Sequence, residues 1–143
     1  LRTPTHKLHK FKANRGYINE LAFSPDGKIL YSADDVKDQP GTIQMWNVDD
    51  GELLHEIPSL PELVSLAVSR DGKLLVIGTT NEDKRIHLYD AVSGESIKTL
   101  ETPEPVDQLV FAHHSNTLVA GCKSQLQVWD VAQGNVKRQM QIG

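Results

Sequence analysis

Six histidines, two Asp-Asp pairs and a single thiol are the side chains of this 143-residue chain that chemistry would use. A zinc site needs Cys, His or carboxylate ligands spaced so that three or four converge on one point. His6 and His9 are three apart, His113 and His114 are adjacent, and His55 and His87 stand alone. Adjacent residues in a strand or tight turn point apart, and neither pair has a third ligand at ligand spacing. Cys122 is the only cysteine, which excludes an internal disulfide and any CxxC zinc motif. Nothing in its neighbourhood predicts a lowered pKa, so it reads as an inert thiol. Asp34-Asp35 and Asp49-Asp50 could hold calcium or share a proton, but Asp49-Asp50-Gly51 reads first as a turn. No Gly-x-Ser-x-Gly, phosphate loop or HExxH is present. The expectation is no catalytic residue, no metal and no cofactor.

The bulk composition narrows the classes further. Hydrophobic content of 38% and charged content of 24% are those of a soluble globular domain. A formal net charge of -4, with Lys and Arg scattered, leaves no basic footprint for nucleic acid. No apolar run approaches the roughly 18 residues that a membrane span needs. The lone cysteine favours a reducing compartment, hence a cytoplasmic location. The chain opens on Leu1, and its first residues resemble no signal peptide, which reads as an excerpt or a processed chain.

The elements that position these groups repeat. Asp26-Gly27 recurs as Asp71-Gly72, and the apolar residues ahead of it recur with it. Ile18, Leu21 and Phe23 fall on Leu63, Leu66 and Val68, and again on Val106, Leu109 and Phe111. Behind each turn comes a second apolar run: Ile29 to Ala33, Leu74 to Gly78, Thr117 to Gly121. A third run ends on an aromatic, at Trp46, Tyr89 and Trp129, and a fourth follows Gly51, Gly94 and Gly134. The changes of spacing fall in one loop, between the second and third runs. A fixed scaffold with one variable surface loop behaves in this way. Runs of four to six residues, rich in β-branched and aromatic side chains and separated by Asp-Gly, Ser-Gly or Pro, are strands. Four strands at a period near 40 to 45 residues make a propeller blade.

Ser24-Pro25-Asp26-Gly27 followed by Trp-Asp endings, clearest at Trp129-Asp130, resembles the WD-repeat β-propeller family across nearly the whole chain. The strand pattern is also similar to bacterial surface propellers with YVTN-like repeats. The resemblance implies an all-β chain of four-stranded antiparallel blades at 18–57, 63–100 and 106–142. Residues 7–12 then read as the outer strand of a preceding blade. The family's Gly-His is missing from all three units, and its serine survives only as Ser32, with Ile77 and Ala120 in its place elsewhere. Apolar packing therefore has to hold these blades more than a polar network does. Trp46, Tyr89 and Trp129, at one blade position, read as core. Three blades cannot close a ring, since propellers use about four to eight. The chain is then a section of a larger propeller, or it assembles with copies of itself.

By the same resemblance, partners bind at loops before the first strand and between the second and third. The candidate contacts are Arg15, Tyr17, Asp34, Asp35, Lys37, Glu62, Asn81, Glu82, Asp83 and Glu104. Arg15 and Tyr17 are the expected anchors, and the acids form a rim suited to a basic protein or peptide. The expected function is a non-catalytic protein-interaction scaffold. The alternative is a segment of a propeller enzyme, of hydrolase or quinone-dependent dehydrogenase type, whose catalytic residues lie in other blades.

Overall fold

The "FSPDGKIL" stretch and its copy "VSRDGKLL" fold into the same turn, held by the same bonds. Ser24 Oγ donates to Asp26 Oδ1 at 2.6 Å, Lys28 N donates to that oxygen at 3.0 Å, and Ile29 N donates to Ser24 Oγ at 3.0 Å. Ser69, Asp71, Lys73 and Leu74 reproduce this at 2.6, 3.0 and 2.9 Å. Gly27 and Gly72 both sit at φ 73°, a left-handed conformation that costs glycine little. In the third copy Ala112 stands in place of Ser24 and Ser115 in place of Gly27; there Ala112 N donates to Thr117 O at 2.9 Å and Thr117 N donates to Ser115 Oγ at 3.3 Å.

The computed structural model describes residues 17–35, 40–60, 63–79, 84–113 and 115–142. Those residues form β1 (Tyr17–Phe23), β2 (Ile29–Asp35), β3 (Gly41–Asn47) and β4 (Leu53–Leu60). Then follow β5 (Leu63–Val68), β6 (Leu74–Thr79), β7 (Arg85–Asp90) and β8 (Ser96–Glu101). The last set is β9 (Val106–Phe111), β10 (Thr117–Cys122), β11 (Gln125–Asp130) and β12 (Asn135–Gln141). Each set of four pairs in chain order into one antiparallel sheet, a blade. There is no helix among the described residues. Residues 7–12 lie outside them. Boundaries differ from the sequence reading: Tyr17 belongs to β1, Asp34 and Asp35 to β2 and Gly41 to β3, not to loops, and β4 runs on to Leu60.

The blades stack side by side, with β5 against β1 on one side and β9 on the other. Strand alternation gives each blade two faces, and each seam between blades buries one face of both. The first seam joins Tyr31, Ile43, Met45 and Ile57 to Leu66, Leu75 and Ile77. The second joins Val76, Ile86, Leu88 and Leu100 to Leu109, Phe111 and Trp129. The β7–β8 turn also leans on the first blade: a Cβ at Gly94 would stand 3.3 Å from Met45 Sδ and 3.6 Å from His55 Cβ.

Tyr31 adds a polar tie to the first seam. Its hydroxyl donates to the Ala91 carbonyl at 2.5 Å, and the residue is fully buried. Burial first, then the charges of Asp26 and Asp90, push its pKa up to about 12. An unfolded chain loses that proton near the ordinary value of 10.0. Between these two values the unfolded state binds fewer protons, so stability falls as pH rises. Urea titrations over that window are expected to show this decline, and Tyr31→Phe is expected to flatten it. Tyr89, also raised by burial, leaves a residual slope.

Candidate protein-docking face

Register places the described candidates, Tyr17, Asp34, Asp35 and Glu104, at one end of the sheets. Tyr17 pairs with Asp35, and Ile18 with Asp34, where β1 begins and β2 ends. Val106 pairs with Cys122 at the same end of the third blade, beside the segment that carries Glu104. Tyr17 is 86% exposed. Asp34, Tyr17 and Glu104 therefore share an edge of the structure. Arg15, Lys37, Glu62, Asn81, Glu82 and Asp83 lie outside the described residues, and Asp35 is placed by its backbone alone.

The two placed acids are both engaged within the chain. Asp34 is only 5% exposed, and its Oδ1 receives Thr42 N at 2.9 Å and Thr42 Oγ1 at 2.8 Å. Its Oδ2 is buried and meets no donor. β2 and β3 approach so closely here that a Cβ on Gly41 would lie 2.9 Å from the Asp34 carbonyl oxygen. Glu104 closes the corresponding hairpin of the third blade from a different segment. Its Oε1 receives Ser124 Oγ at 2.5 Å and its Oε2 receives Ser124 N at 3.0 Å. The Ser124 hydroxyl first, then its amide, hold the Glu104 carboxyl below its ordinary pKa. Glu104→Gln is expected to speed hydrogen exchange at the Ser124 amide, and Ser124→Ala to return the Glu104 pKa toward its ordinary value. The first is read by exchange, the second by NMR titration.

Elsewhere the titratable groups do not converge. No group of three or more His, Cys, Asp or Glu among the described residues could hold a metal ion. Cys122 is buried, and its pKa is raised by desolvation first and then by Glu104 and Asp107. His113 Nδ1 lies 2.9 Å from Arg70 Nη2, bridging two turns at the opposite end of the sheets.

At the recurrent aromatic position the structure shows how the polar bracing diverges. Trp46 Nε1 donates to Ser32 Oγ at 2.9 Å in the first blade. In the third blade, where Ala120 stands in the serine's place, Trp129 Nε1 donates to Gln127 Oε1 at 3.1 Å. The missing serine was a signal that Trp129 needed another acceptor; its identity was not readable. Both tryptophans are buried, and Tyr89 is half-buried.

A stacked set of four-stranded blades, with Ser–Trp bracing and Ser–Asp turns, can be set beside known proteins. A family model described as WD domain, G-beta repeat, matches residues 5–47. The chain belongs to the WD-repeat β-propeller family. It is similar to histone acetyltransferase type B subunit 2 of Eremothecium gossypii, 31% identical over 127 residues, covering 85% of this chain and 28% of the relative. COMPASS component SWD3 of Saccharomyces cerevisiae is 26% identical over 147 residues, covering 94% of this chain and 45% of that protein. The crystal structure of RRP9 WD40 repeats superimposes with a TM-score of 0.77 at 27% identity, over 93% of this chain and 41% of that one. The chain thus spans less than half the length of each.

Proposed function

We propose that this WD-repeat chain is a non-catalytic docking section of a propeller, and that it takes a basic protein or peptide at the edge where β1 begins. The observation that carries this is Tyr17, an aromatic side chain 86% exposed at the end of the blade where Asp34 ties β2 to the start of β3. An exposed aromatic on a strand that is already paired favours an anchor contact with little ordering cost. Arg15 is the second anchor, and Asp35, Lys37, Glu62, Asn81, Glu82, Asp83 and Glu104 complete the contact surface, its acids favouring positive charge. The names of two relatives, a histone acetyltransferase subunit and a COMPASS component, place those proteins in multi-protein assemblies, which supports a protein partner here. A cytoplasmic chain with no catalytic role, blades at 18–57, 63–100 and 106–142, and 7–12 as the outer strand of a preceding blade complete the reading. The ring is closed through its two end faces, by blades of the same kind.

A Lys/Arg-rich peptide titrated against the chain by fluorescence anisotropy tests the docking claim, with an Asp/Glu-rich peptide as control. Binding of the basic peptide alone is expected, weakened at least about tenfold by Tyr17→Ala, as an aromatic anchor would be. Equal affinity for both peptides, or an unchanged affinity in the Tyr17 variant, would sink the docking claim.

A further inference from the structure

Two glutamines of β11 lie in the second seam with opposite unmet needs. Burial alternates along β11, so Gln125, Gln127 and Trp129 share the face turned to the second blade. Gln127 is fully buried and Gln125 is 7% exposed. The Trp129 indole can only donate, and it donates to Gln127 Oε1 at 3.1 Å. That contact fixes the Gln127 amide and leaves its Nε2 buried without an acceptor. Gln125 is fixed from the other side. Its amide hydrogen-bonds the Glu104 carboxylate, which can only accept, so Nε2 is the atom engaged. Its Oε1 is left buried without a donor. One unmet donor and one unmet acceptor thus stand two residues apart on one face of a strand. The Gln127–Trp129 bond shows that side chains at this spacing reach each other.

Glu104 lies at the docking edge, in the segment between β8 and β9, and holds Gln125 by its amide end. We propose that Gln125 is a switch between that edge and the seam. Without a partner it is tethered to Glu104, and the pair with Gln127 is unmade. A cation of the docked partner takes over the Glu104 carboxylate and releases Gln125, whose Oε1 turns to Gln127 Nε2. The freed Nε2, at the start of β11 near exposed Lys123, meets water. Two buried groups gain partners in this exchange. A buried polar group left unmet costs more than an ordinary hydrogen bond returns, so closing the pair favours the docked state. The coupling is reciprocal: what prevents the pair from closing also weakens docking. The switch rests on the docking reading above and adds how the interior of the third blade responds to the partner.

Indole and glutamine side-chain amide resonances of the ¹⁵N-labelled chain read the switch. Glu104→Ala removes the tether with no partner present. The Gln125, Gln127 and Trp129 side-chain signals of this variant are expected to move in the direction that the Lys/Arg-rich peptide produces in the wild type. Ala120→Ser combined with Gln127→Leu keeps an acceptor for Trp129 but removes the amide that Gln125 would meet. This double variant is expected to bind the peptide at least about fivefold more weakly, although both changes are buried in the seam and away from the docking edge. Far-UV circular dichroism confirms that each variant is folded. Seam signals that stay still in Glu104→Ala and on peptide binding, or wild-type affinity in the double variant, would overturn the switch and leave docking intact. If the peptide binds neither chain, docking fails, and the Glu104→Ala spectrum alone decides whether the tether holds Gln125 away from Gln127.

Discussion

Trp129→Ala is expected to lower folding stability by about 3–5 kcal/mol, the range for deleting a buried large aromatic. Trp129 sits in the second seam with Val76, Leu88, Leu109 and Phe111. Its removal opens a cavity between two blades and also strips the donor from Gln127. Urea titration by circular dichroism checks it: the midpoint falls with the slope preserved if the native blades remain compact. A loss under about 1 kcal/mol would mean that the seam is not packed as described, since a well-packed interior cannot lose a side chain of that size so cheaply.

The second large effect isolates one hydrogen bond. Gln127→Leu leaves the buried Trp129 Nε1 without an acceptor, which costs about 1–3 kcal/mol. Part of that loss is offset, because Gln127 Nε2 is itself buried and without a partner. Adding Ala120→Ser should supply the acceptor in the way Ser32 does for Trp46. The double variant is therefore expected to reach wild-type stability or exceed it, with a coupling of about 1–2 kcal/mol in the double-mutant cycle. Additive effects of the two substitutions would refute the substitution of one brace for another.

The fold was legible because its signals are local and thrice repeated. The Asp-Gly turns, the alternating apolar runs and the recurrent aromatic fix the register without any long-range information. The same sequence predicted apolar bracing in blades lacking the serine, and Tyr31, Val76 and Phe111 show how the seams supply it. The long-range polar contacts were not legible. Glu104 reads as a free acid because its partner, Ser124, lies 20 residues away across a strand. Asp34 reads as part of a loop because the second apolar run ends at Ala33. In the structure it is a strand residue whose carboxylate organises Thr42. Side-chain contacts between segments of one blade have no sequence period, so which acid caps which hairpin cannot be read from spacing.

An amide shift map locates the docking face directly. Uniformly ¹⁵N-labelled chain would be titrated with the Lys/Arg-rich peptide. The predicted shifts cluster at the sheet ends that carry Tyr17, Ile18, Thr102, Glu104 and Ser124. Shifts confined to the opposite turns, at Asp26 to Lys28, Asp71 to Lys73 and Asp90 to Glu95, would contradict it and move the docking face to the other end of the blades.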